Sequence, residues 1–288
     1  MKKITIVCLL AIGIIASCHK PDLPCKKQCQ IKSIEDVYRP NPITTTDRVT
    51  KFVYNKQRLL DSLSVRPITG TQPPLSVRVT YNNQGKPVGM TGPAGTYKLI
   101  YQNGRVIRID QLDTNGQYQP LYTFVYDSQG RIIERQAANS ALRFEYTGSS
   151  KNFTRRLDLQ ITRPGGPLET FMAYEYSYDD KVNPMLTLPN ITLLPFYFDI
   201  VAGSGRQFEP IPDNNWTRQN VRSNFRGALL QFREYLYTYQ YDDVYPTRYE
   251  LLLLTSNPFT PIVDTGRGTT RFFYQCEGDA AHWSKGSM

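Results

Sequence analysis

The sequence predicts an all-β protein. The expected fold is an antiparallel meander of repeated hairpins forming one large twisted, curled sheet, with an irregular insertion near residues 186–214. Three observations predict it. One hairpin phrase recurs along the chain, as in "VRVTYNNQGKPVGM" and "YTFVYDSQGRIIER". Within each phrase aromatic and β-branched residues alternate with polar ones, the pattern of a half-buried strand. Asn, Asp or Gly falls where each phrase must reverse.

The first segment stands outside the fold. Lys2 and Lys3 precede an apolar run from Ile4 to Ile15, 12 residues by 15 − 4 + 1. A bilayer-spanning helix takes about 20. A charged start, a short apolar core and small residues ahead of a cleavage point make a secretory signal. Ile15-Ala16-Ser17-Cys18 resembles the bacterial lipobox, which implies lipidation of Cys18 and cleavage just before it. His19 follows, not the Asp that retains many lipoproteins in the inner membrane, so an outer-membrane lipid anchor is expected. The organisation expected is a signal peptide over 1–17, a lipidated Pro- and Lys-rich tether over 18–28 and one β domain over 29–288.

The mature chain of 271 residues (288 − 17) carries a formal charge of +7, because Lys2 and Lys3 leave the +9 of the whole. Its cations are scattered along strands, whereas a nucleic-acid surface clusters them. No nucleic-acid partner is expected. An exported chain favours disulfides. Cys29 opens the first strand, "CQIKSIEDVY", and Cys276 ends the last, so Cys29–Cys276 is the expected bridge, with Cys25 the odd thiol in the tether.

The repeats end their strands on Tyr54, Tyr81, Tyr101, Tyr126 and Tyr146, at spacings of 27, 20, 25 and 20 residues. Such a period marks a repeated supersecondary unit. Looser members end on Tyr178 and Tyr241, and "RFFYQC" puts Tyr274 in the same place. Turns are expected near Asn55, Asn82, Gly104, Gly130 and Gly148, with Gly85, Gly104 and Gly130 supplying positive φ. "GALLQFREYLYTYQY" carries a short helix-like start, but Tyr235, Tyr237, Tyr239 and Tyr241 alternate as a strand must. With 20 Tyr and 13 Phe against few long aliphatic runs, the aromatic ladder is needed as core rather than as an exposed glycan platform.

The stretch Tyr126 to Ile132, Y-D-x-x-G-R-I, resembles the core of the YD repeat of RHS-type shell proteins. "YSYDDKVNPM", "NNWTRQNV", "YQYDDVYPT" and the aromatic-x-Cys close, in that order, resemble exported lipoproteins of unknown function from Bacteroidetes-type bacteria. The resemblance implies a β meander on an outer-membrane anchor and no known reaction. Val244 and Tyr245 stand where that family often has Asp-Gly, so the turn there departs from the pattern.

Catalytic chemistry finds little footing. The two His lie beside the anchor (His19) and in the terminal tail (His282). The pairs Asp179-Asp180 and Asp242-Asp243 sit where the phrase turns, and adjacent residues point apart. No cofactor, metal or catalytic residue is assigned. The expected function is a non-enzymatic, surface-anchored protein that binds or scaffolds a glycan or an envelope protein, with Trp216 the best single ligand contact. The alternatives are a purely structural envelope lipoprotein and a polysaccharide hydrolase.

Overall fold

A computed structural model describes residues 29–41, 44–69, 71–163, 165–188, 209–225, 228–243, 245–257 and 260–276. The expected signal peptide and tether, including Cys18, lie outside the described residues, as does most of the insertion. Cys29–Gln275 form one unit; Met1–Gln28 with Cys276–Met288 form a second, of which Cys276 alone is described.

The strands run β1 (Cys29–Asn41), β2 (Thr44–Tyr54), β3 (Leu60–Pro67), β4 (Leu75–Tyr81), β5 (Pro87–Gly92), β6 (Gly95–Gln102), β7 (Arg105–Leu112) and β8 (Tyr118–Tyr126). They continue through β9 (Ile132–Ala137), β10 (Ser140–Tyr146), β11 (Phe153–Ile161), β12 (Leu168–Val182), β13 (Asn214–Phe225), β14 (Ala228–Asp242), β15 (Tyr245–Asn257) and β16 (Thr260–Cys276). Each pairs antiparallel with the next. β1 also pairs with β16, so the meander closes into a barrel instead of ending as a curled sheet. Closure removes both edge strands, which would otherwise offer unpaired backbone to another chain. The helix-like start of "GALLQFREYLYTYQY" belongs to β14. The Asp113–Gln117 turn escapes the Tyr-ended pattern because its strand ends on Leu112; it lies at the barrel's opposite end.

The turns follow from Asx chemistry. Asn55, Asn82, Asp113 and Asp127 each accept with Oδ1 from the backbone N–H two and four residues on. The fourth loop position takes positive φ, at Gly85 (72°), Gly116 (76°) and Gly130 (81°), and at Arg58 (62°) where Gly is missing.

Every ladder Tyr from Tyr54 to Tyr146 sits at a β-bulge against its return strand. Tyr126 opposes Ile132 while Val125 opposes Glu134, which leaves Ile133 as the extra residue. A bulge adds twist and re-aims side chains. The Tyr side chains point inward, half-buried against one contiguous core that includes Ile31, Leu63, Val77, Met90, Ile109 and Phe153. Each hydroxyl donates to a carbonyl at the start of the preceding return strand: Tyr54 to Ile31, Tyr81 to Leu60, Tyr101 to Pro87, Tyr126 to Val106 and Tyr146 to Ile132. Tyr178 to Phe153 and Tyr274 to Pro246 repeat the bond. The cation before three of these acceptors lies over the same ring, with Lys86 3.8 Å from Tyr101, Arg105 5.5 Å from Tyr126 and Arg131 4.4 Å from Tyr146. Each hairpin therefore docks on the one before it, and the ladder is core.

Candidate binding surfaces

Alternation decides what the barrel shows to its surroundings. In β4, Val77 and Val79 are buried while Ser76, Arg78 and Thr80 are exposed. The same phase exposes Lys51, Lys98, Arg143, Arg155 and Arg218. A barrel that crosses a membrane carries an apolar band on its outer face. Here these cations stand on the outer face among exposed apolar residues such as Val53, Val125, Ile262 and Phe273, while the buried core fills the inside.

The described ends of the insertion pack at the end that carries the ladder. Pro184–Thr187 form one 3-10 turn, and Leu188 is buried in the core with Met185 and Ile211 packed beside it. Thr187 Oγ1 accepts from the Ile31 N–H, so this segment reaches β1. From its far end Glu209 enters the interior and takes the Arg156 guanidinium and the Tyr176 hydroxyl, the latter at 2.7 Å. Arg156 also makes a forked pair with Asp158 at 2.8 and 3.2 Å, above the Tyr174 ring at 3.5 Å. Gln219 Nε2 donates to the Tyr176 hydroxyl at 3.2 Å. Both Arg156 and Asp158 are buried, so pairing offsets the cost of taking their charges out of water. This cluster is not legible in the residues alone, because Arg156 and Asp158 sit at strand positions that look solvent-facing.

Asp179, one of the acidic pairs, accepts from the Lys181 and Asn215 N–H groups and from the Tyr241 hydroxyl. It replaces the carbonyl that other ladder tyrosines use. At the β14–β15 turn, Asp243 takes the left-handed φ of 56°. Trp216, the expected ligand contact in the loop-like "NNWT", lies in β13. Its ring packs against Tyr176 at 5.7 Å and Tyr237 at 6.4 Å, partly buried in the core cluster. Cys29 and Cys276 are both disulfide-bonded.

On the outer wall a groove of about 840 Å³ runs across β14, β15, β16, β1 and β2. Arg39, Arg248, Arg267 and Arg271 line it together with Glu35, Asp47 and Glu250. Arg248 holds Glu250 at 2.8 Å. Asp47 Oδ1 and Arg248 Nε are buried in this wall without a hydrogen-bond partner. A buried polar atom left unpaired costs about 1–3 kcal/mol, so such atoms mark places where water or a ligand completes the bonding.

No protein-family model matches the chain, and no curated protein matches it. Among solved structures it is similar to a porin-like protein from Bacteroides uniformis, at 15% identity and a TM-score of 0.54, over 85% of this chain and 96% of that one. A porin-like protein from Bacteroides vulgatus overlaps at 11% identity and a TM-score of 0.37, over 85% and 98%. A chain of the TcdB2-TccC3-Cdc42 structure overlaps at 12% identity and a TM-score of 0.33, over 77% of this chain and 12% of that one. The first likeness shows the fold: an antiparallel β-barrel.

Proposed function

We propose that the chain is a non-enzymatic, lipid-anchored outer-membrane barrel of the exported-lipoprotein kind, which binds a glycan or another envelope protein on its outer wall. The observation that carries the reading is the pair of unpartnered buried atoms, Asp47 Oδ1 and Arg248 Nε, in a groove lined by planar charged side chains. Carboxylate and guanidinium groups suit a ligand rich in hydroxyls or carboxylates. The Lys and Arg side chains on the outer face, and Met185, Leu188 and Ile211 packed into the ladder end, support a surface that holds something. Anchoring rests on Cys18 within Ile15-Ala16-Ser17-Cys18.

The test is a glycan-array screen of the mature protein beside Asp47→Ala and Arg248→Ala. A hit lost in both variants, with unchanged thermal melts, supports the reading. Hits that survive both substitutions remove the groove from it. An array without hits moves the assignment to an envelope-protein partner or to the purely structural role. Mass spectrometry of the mature N-terminus tests the anchor separately, since an unmodified chain or one starting elsewhere than Cys18 refutes it.

A further inference from the structure

The turns at the ladder end divide by charge. Those joining β2–β3 through β10–β11 carry Lys56, Arg58, Lys86, Arg105, Arg131 and Lys151. Of the acids beside them, Asp127 is bound to Arg131 at 2.7 Å, and Asp61 at the start of β3 acts on the Tyr81 hydroxyl. The turns of β12 to β15 carry Asp179, Asp180, Asp213, Asp242 and Asp243 with Lys181. One arc of this end is thus basic and the other acidic. At the basic arc a recess of about 460 Å³ is lined by Lys86, Arg105, Arg131 and Lys151, with Asp213 of the acidic arc at its border and Tyr101 and Ile211 among its apolar walls.

The chain enters the barrel at this same end. Cys29 starts β1, and next to it Gln30 exchanges hydrogen bonds with Arg58, at 3.1 Å to its carbonyl and 3.3 Å from its Nε. Cys18 precedes Cys29 by eleven residues (29 − 18). Eleven residues reach at most about 40 Å, and Lys20, Lys26 and Lys27 lie along them. A lipid on Cys18 therefore holds the ladder end within tether reach of the membrane.

We infer that the basic arc docks on anionic phospholipid headgroups, so that the barrel stands on its ladder end with the arc turned to the bilayer. The inference rests on the lipid anchor proposed above. The recess, with Lys86, Arg105 and Lys151 beside the Asp127-paired Arg131 and against the one acid Asp213, matches a phosphate-bearing headgroup, and the acidic arc fixes which side of the end comes down. The lipid holds the protein; the arc sets its tilt.

Amide hydrogen exchange on the native lipoprotein in vesicles tests this. With phosphatidylglycerol mixed into phosphatidylethanolamine, the turns Asn82–Lys86, Asn103–Arg105 and Thr147–Lys151 should exchange more slowly than in phosphatidylethanolamine alone. The Asp113–Gln117 turn, at the opposite end, should not change. High salt should erase the difference, since the screening length falls to about 3 Å at 1 M. Each cation at an anionic surface is worth roughly five-fold in association, so Lys56→Gln with Lys151→Gln should weaken docking ~25-fold. Both side chains are exposed, so the pair should leave the melt unchanged.

Equal exchange in the two vesicle types, with the protein still floating on phosphatidylethanolamine, overturns the docking and leaves the anchor standing. A protein that floats on neither vesicle refutes both. One that floats only with phosphatidylglycerol, reversibly with salt, refutes the anchor and supports the docking. If inorganic polyphosphate gives the same protection on phosphatidylethanolamine vesicles, the arc is a site for soluble polyanions and the lipid assignment fails.

Discussion

Tyr126→Phe isolates the bond that links one hairpin to the next. The substitution keeps the ring beneath Arg105 and removes only the hydroxyl, which donates to the Val106 carbonyl at 2.8 Å. A net intramolecular hydrogen bond contributes about 0.5–1.5 kcal/mol, and the partly buried acceptor puts this one near ~1 kcal/mol. In a domain of this size that lowers the melting temperature by roughly 2–4 °C. Urea unfolding should show a lower midpoint and an unchanged slope, because the area exposed on unfolding is the same. Tyr118→Phe is the control, since Tyr118 is 43% exposed and belongs to no clasp. Tyr126→Ala should cost more, toward the lower end of the ~3–5 kcal/mol typical of core aromatics, because ring and cation contact go together. Equal losses for Tyr118→Phe and Tyr126→Phe, or none for either, would refute the clasp as the repeating link.

Alkali should act on the same ladder. Burial pushes the Tyr81, Tyr101 and Tyr126 hydroxyls up to about 12 and raises those of Tyr54, Tyr146, Tyr178 and Tyr274 as well. A group with a raised folded pKa contributes in full below its unfolded value near ~10 and loses that contribution as pH rises through the folded value. Melting temperature should thus fall above about pH 10, in step with phenolate absorbance, and fall less in Tyr→Phe variants. Gly130→Ala and Gly104→Ala both force Ala to φ near +80°, at roughly 1–2 kcal/mol by melt. Gly130→Ala should cost about 0.5 kcal/mol more, since its Cβ would meet Arg105 Nη2 at 2.7 Å and lift that cation from Tyr126, whereas Gly104 has open space. Non-reducing peptide mapping should recover one peptide joining Cys29 to Cys276. Both are disulfide-bonded, and β1 pairs with β16; a Cys25–Cys29 loop would overturn it.

Much of this architecture is legible in the residues themselves. Asx and Gly marked the turns at Asn55, Asn82, Gly104, Gly130 and Gly148 because their chemistry is local. The Tyr ladder was legible as core because the aromatics must bury area that the aliphatic residues do not supply. Barrel closure was not, since whether a meander's ends meet depends on twist accumulated over every strand. The groove around Asp47 and Arg248 was hidden for a similar reason. It draws on β1 and β2 from one end of the sequence and β14 to β16 from the other, which only closure makes neighbours. Trp216 misled because "NNWT" has turn composition, whereas pairing with Tyr178 places it in a strand.

The return strands show why simple alternation misassigns the interior. Strict period two would put Ile132 and Glu134 on one face, yet the residues buried there are Ile132 and Arg135. The same spacing of three joins Ile31 to Ile34, Leu60 to Leu63, Pro87 to Met90, Val106 to Ile109 and Phe153 to Arg156. In β3, β5, β7, β9 and β11 the bulge opposite the ladder Tyr is the cause, because one extra residue shifts everything after it to the other face. The first member of each pair is also the carbonyl that accepts a Tyr hydroxyl. Clasp and bulge are therefore one device: the bond holds the strand's first residue inward, and the bulge re-aims the remainder. That phase shift brings Arg135, Arg156 and Asp158 inside, where Glu209 meets Arg156 and fastens the insertion to the wall. It also sends Arg155 outward, where strict alternation from the buried Phe153 would have turned it into the core.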